Sequence, residues 1–142
     1  MDGDVGIALA RLCEEYGLIA VYVFGSRADE VAARVAGRSV AAARSDSDVD
    51  IGAQPRRGHG LSARDRVRLT QQLEELLGAR RVDLVILPEA NAFLAADAVR
   101  GELLAATDLD LEAEAQLYYL RRAADLAPYL REQWLEKVGR PL

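Results

Sequence analysis

The sequence predicts an α/β protein, a small sheet with helices packed against it and a helical C-terminal tail. Three observations predict it. Strand-length runs rich in β-branched residues stand at residues 19–24, 48–53 and 81–87. Around them, apolar residues recur at helical spacing. Gly, Ser, Asn and Pro punctuate the boundaries.

Composition narrows the class. The chain has 142 residues, 51% of them apolar, so it can bury a core and is not a disordered polymer. We read it as one domain over 1–142, with a core at about 5–110 and a tail at about 111–138. A formal charge of −5 and a pI near 4.9 argue against a direct nucleic-acid binder. Cys13 is the single cysteine, which excludes an internal disulfide and fits a reducing compartment. No signal peptide is visible, and no apolar run is long enough to span a membrane. These readings place the protein in the cytoplasm.

The elements follow in order. Val5, Leu9, Leu12, Cys13 and Tyr16 mark a first helix, with Asp4 as its N-cap and Gly17 as its stop. Cys13 falls on the apolar stripe and reads as buried filler. The first strand ends at Gly25, which lets the chain turn sharply. Ser26 is the expected N-cap of a second helix, with Val31 and Val35 on one side and Gly37 near its end. After the second strand, residues 54–60 (QPRRGHG) are a turn-rich loop. Its His59, without companions at metal-ligand spacing, reads as solvated. Ser62 and Asp65 form a capping box for a third helix, whose apolar face is Leu69, Leu73, Leu76 and Leu77, and Gly78 ends it. Pro88 stops the third strand. Asn91 caps a fourth helix, with Leu94, Ala98, Val99 and Leu103 toward the core. After a polar break at 107–110, Asp110 caps the last helix, which Pro128 divides into pieces at 111–126 and 128–138. Leu117, Tyr118, Leu120, Leu130, Trp134 and Leu135 make this tail more apolar than a small monomer needs. Packing on the sheet and a surface for a partner or a second copy are both open readings.

The candidate chemistry lies between Val21 and Ile51. Gly25-Ser26, between a strand and a helix, exposes backbone N–H groups where an anion can approach. Arg27 stands at the same turn, positioned to hold phosphate. Asp48 and Asp50 sit at i and i+2, so they project from one face of a strand. Two such carboxylates repel unless something positive lies between them, and Mg²⁺ takes oxygen ligands that it shares with phosphates. The bland alternative is a solvated acidic loop, since Ser45, Asp46 and Ser47 precede them. Against it, Val49 and Ile51 alternate with the acids. Asp83, an acid inside the apolar run RVDLVIL, is costly in a buried context unless partnered. On a neighbouring strand it would complete a cluster able to hold two metal ions.

In combination, FGSR, SDSDVDI and VDLVIL resemble the minimal nucleotidyltransferases of the DNA polymerase β-like superfamily, and among them the MntA-type antitoxins paired with HEPN-domain toxins. The resemblance covers about Val5 to Asp110, and more weakly the tail. It implies a mixed sheet with the acid-bearing strands adjacent. It implies an enzyme that transfers AMP from ATP to a tyrosine of the HEPN toxin and so silences it. Carried over, Gly25 and Ser26 hold the triphosphate, Asp48 and Asp50 bind Mg²⁺, and Asp83 is a third metal ligand and a base.

One departure stands out. The stretch from Arg27 to Ser47 is about twice the family's usual spacing, with the excess at roughly Glu30 to Ala43. It extends the helix after Ser26, forms a flap over the nucleotide, or lies disordered; loops tolerate such insertions at modest entropic cost. Arg34, Arg38 and Arg44 within it read as a solvated basic face. The insert favours one rival, an inactive relative that neutralises its toxin by binding alone. A second rival is a nucleotidyltransferase acting on a small molecule, although those relatives usually add a larger helical domain after the core.

Overall fold

The structure, a computed structural model, describes residues 3–37 and 48–137. The elements in chain order are α1 (Gly3–Glu15), β1 (Leu18–Phe24), α2 (Ala28–Val35), β2 (Val49–Pro55), α3 (Ala63–Leu77), β3 (Val82–Ile86), α4 (Ala92–Val99), β4 (Glu102–Ala106) and α5 (Leu109–Lys137). A short 3-10 turn, Leu87–Glu89, joins β3 to α4.

The strands form one mixed sheet in the order β3-β2-β1-β4. β1 runs antiparallel to β2 and β4, while β2 and β3 are parallel. The acid-bearing strands are therefore neighbours, as the resemblance implied. Every residue of β1 is buried, as a central strand covered on both faces requires. Alternation divides its side chains. Val21 and Val23 join Val49 and Ile51 in a core closed by Leu9 of α1 and Leu69 and Leu73 of α3. Ala20, Tyr22 and Phe24 face the other way, against Ala95 and Ala98 of α4 and Tyr119 of α5.

Local signals set several boundaries. The Ser62 hydroxyl accepts from the Asp65 N–H at 3.0 Å, and the Asp65 carboxylate accepts from the Ser62 N–H, so the capping box is present. Asn91 Oδ1 accepts from the N–H groups of Phe93 and Leu94. Gly78 ends α3 at φ +63 and Gly37 follows α2 at φ +81. Cys13 is fully buried, and burial, with Glu14 adding to it, pushes its thiol up to about 11.

Five expectations need correction. Residues 102–106 are strand β4, not the end of a helix, and Leu103 is 40% exposed rather than in the core. Glu-Leu-Leu-Ala-Ala is a helix-forming alphabet, but the open edge of β1 needs a partner, and Gly101 lets the chain pass close to the Val23 carbonyl. Asp108, not Asp110, caps α5, its Oδ1 accepting from the N–H groups of Asp110 and Leu111 at 3.0 Å. α5 continues through Pro128, where the surrounding residues are exposed and a freed carbonyl can bond water. Asp4 lies within the first turn of α1 rather than before it. Ser26 does not cap α2; Arg27 occupies the N-cap position with no side-chain cap hydrogen bond.

One buried polar contact ties α5 to the sheet. The Tyr22 hydroxyl, fully buried, donates to Glu112 Oε1 at 2.7 Å, and Gln116 Nε2 donates to the same oxygen at 3.3 Å. Burial and this bond raise the Tyr22 pKa well above that of free tyrosine, so it stays a donor. Tyr22→Phe strips Glu112 of its shorter partner inside the protein. It should cost about 1–3 kcal/mol, read as a lower urea midpoint at unchanged m-value.

Candidate active site

Every candidate side chain among the described residues gathers at one end of the sheet, where β1 ends and β2 and β3 begin. Asp50 pairs with Phe24 on one side and with Asp83 on the other. Because Val49 and Ile51 point into the α1–α3 core, Asp50 projects from the opposite face. Paired strand residues share a face, so Asp83 projects with it. Deeper on that face, Gly52 lies beneath α4, where a Cβ would stand 3.0 Å from the Ala98 Cβ. Asp50 is the next residue of β2 on that face, toward the strand's amino end.

The electrostatics record the crowding. Burial, then Asp83, then Asp48 hold the Asp50 carboxyl above the usual carboxylate range. Asp48 meets Arg81 at 3.7 Å, a surface pair worth little to stability. Asp83 is exposed on the edge strand, not buried as its apolar neighbours suggested. Its position at the sheet's end lets water reach it, which removes the cost of burial that the sequence implied.

Gly25 closes the other side of the site. Its φ is +81, and a Cβ built there would collide with Asp50 Oδ2. The glycine thus allows both a left-handed turn and direct approach of backbone to carboxylate. Ser26 is exposed beside it. Arg27 is 8% exposed, its Nη2 2.7 Å from Glu30 Oε2, so its guanidinium braces the first turn of α2. Beyond the turn opens a cleft of about 410 Å³ lined by Phe24, Gly25, Asp29, Arg100 and Glu102.

Among the described residues no three His, Cys, Asp or Glu side chains already form a metal cage. The donor chemistry nevertheless fits a hard divalent cation. Asp48, Asp50 and Asp83 offer only carboxylate oxygens, and their mutual repulsion is what a cation would relieve. His59 belongs to the far loop, its ring packed over Gly17. The excess of the Arg27–Ser47 stretch contributes to α2 as far as Val35; Arg38, Arg44, Asp46 and the flap reading lie outside the described residues.

Four residues around the site were not singled out from the sequence. Glu30 was legible as an i, i+3 partner of Arg27 on a helix. Arg81 was legible by alternation, two residues before Asp83. Arg100 and Glu102 were hidden by reading β4 as helix.

The chain matches the family model described as polymerase beta nucleotidyltransferase over residues 8–110. No curated protein matches it in sequence. Similar solved structures include a mutant of the toxin–antitoxin pair MntA–HpeT, 21% identical, with 94% of this chain and 97% of that chain covered and a TM-score of 0.68. A toxin–antitoxin structure with AMP-PNP is 21% identical, covering 91% of this chain and 98% of that chain at a TM-score of 0.58. A tri-AMPylated Shewanella oneidensis HEPN toxin in complex with its MNT antitoxin gives 21% identity, 94% and 99% coverage and a TM-score of 0.55. At this identity the likeness is one of fold.

Proposed function

The chain belongs to the polymerase beta nucleotidyltransferase family, and from that premise we propose that it transfers AMP from ATP to a tyrosine hydroxyl of a HEPN-domain toxin and thereby acts as its antitoxin. The observation that carries this reading is the row Gly25–Asp50–Asp83, a backbone turn pressed against a carboxylate that is itself paired with a second one. The Gly25-Ser26 backbone and the Ser26 hydroxyl cradle the outer phosphates. Asp48, Asp50 and Asp83 would hold Mg²⁺, whose chemistry is to neutralise charge on the triphosphate. The tyrosine oxygen bonds to the α-phosphorus as the bond to the bridging oxygen breaks and pyrophosphate leaves. Asp83, the exposed acid, takes the tyrosine proton. Catalysis here is positioning and charge neutralisation.

The tail supplies the partner surface in this reading. Tyr119 and Ala123 of α5 pack on the body. Their face continues along the helix as Leu126, Leu130 and Trp134, which are 38%, 47% and 63% exposed. Trp134→Ala should weaken the complex by about 2 kcal/mol, roughly 30-fold in Kd by calorimetry.

The deciding experiment is co-expression with the product of the neighbouring gene, followed by intact masses of both. AMP added to the partner supports the proposal. A second reading, neutralisation by binding alone, draws on the long Arg27–Ser47 stretch and on Asp48 being engaged by Arg81. A tight complex of unmodified masses, indifferent to ATP and Mg²⁺, would establish that alternative.

A further inference from the structure

We infer that the outer edge of β3 is the dock for the acceptor: an extended segment of the partner adds to the sheet beside Leu84 and leads its tyrosine to Asp83. This rests on the transfer reading above.

The backbone sets up the edge. Among the described residues β3 is the last strand of the sheet on its side. The Val49 N–H donates to the Arg81 carbonyl at 3.0 Å, and Val49 pairs with Val82. In a parallel ladder this commits the groups of Arg81, Asp83 and Val85 to β2, and turns those of Val82, Leu84 and Ile86 outward. The Val82 N–H is already capped, donating to Glu74 Oε2 at 2.9 Å. The next outward pair, on Leu84, has no such partner among the described residues. An unpaired strand edge is a template for another strand.

The side chains shape what fits there. A groove of about 510 Å³ runs along this edge between α3 and α4, lined by Val67, Thr70, Leu84, Val85, Ala90 and Leu94. Arg66 and Glu89 cross its rim in a two-fold pair at 2.5 and 2.7 Å. With its cation and anion spent on each other, the groove offers apolar walls and backbone hydrogen bonds. That suits an extended apolar peptide and gives no purchase to a phosphate. Leu84 directly follows Asp83, so a segment paired at Leu84 continues past the acids within a residue or two. The opposite edge, β4, carries none of the three acids.

Two variants and two readouts test this. Leu84→Pro deletes the outward N–H, which β2 does not use, and proline is tolerated on edge strands. Val67→Arg changes a 57% exposed groove residue and spares the core. Steady-state AMP transfer to the HEPN protein should show KM for that protein rising tenfold or more in both variants, with kcat at saturation and AMP-PNP binding unchanged. Amide exchange at Leu84 and Ile86 should slow when the wild-type chain binds its partner. Transfer with wild-type KM in both variants, or without protection of Leu84, overturns the dock. Protection without any transfer keeps the dock and refutes the proposed activity. Neither protection nor transfer refutes both.

Discussion

Asp50→Asn is expected to cut AMP transfer by at least ~10³-fold while leaving thermal stability unchanged or improved. The loss should exceed the ~10²–10³ typical of removing one donor that stabilises developing charge, because Asp50 is the acid whose charge both neighbours oppose. The stability expectation follows from the same geometry. Burial, Asp83 and Asp48 all disfavour the charged form of Asp50 in the folded state. A group whose ionised form is disfavoured by folding makes ionisation cost stability, so a neutral isostere removes a penalty. Asp48→Asn should also abolish transfer, and loses only a weak surface pair with Arg81. Intact-mass analysis of the partner and a melting curve read the two effects separately. Full transfer by the double variant would refute the site; a large drop in Tm would recast Asp50 as a structural residue.

Gly25→Val should be the most damaging single change to the turn. A β-branched residue at φ +81 costs about 1–2 kcal/mol in backbone strain alone. The new Cβ would also collide with Asp50 Oδ2, so the carboxylate or the turn must move. We expect loss of AMP-PNP binding by calorimetry together with a lower denaturant midpoint. Gly25→Ala keeps the strain and the first collision without the branch, so it should fall between Gly25→Val and wild type. Wild-type affinity in Gly25→Val would mean that the triphosphate does not approach this backbone.

The two variants divide what was legible from what was not. Asp50 stood out because acids alternate with Val49 and Ile51, a pattern that a strand with one buried face imposes. That Asp50 faces Asp83 depends on β2 and β3 pairing in parallel, which no local signal encodes; the resemblance supplied only that the two strands are adjacent. Gly25 stood out as a turn. Its contact with Asp50 follows from the pairing of Phe24 with Asp50, across residues far apart in the chain. Arg27 keeps the place at the turn expected from its position in the chain, in the N-cap position of α2, and the structure adds its pairing with Glu30.

What the sequence by itself determined is chemistry that acts within a few residues. Ser62 with Asp65, Asn91 and Gly78 specify helix ends through bonds and dihedrals that need no distant partner. The three β-branched runs specify strands because only a pleated, buried surface suits them. What only the tertiary structure decided is pairing and exposure. Residues 102–106 became β4 because β1 had an edge to satisfy, against the helical leaning of their own side chains. Asp83 escaped burial because β3 took the outside of the sheet. Both outcomes rest on contacts between segments remote in sequence, where the gain of pairing and desolvation outweighs local preference.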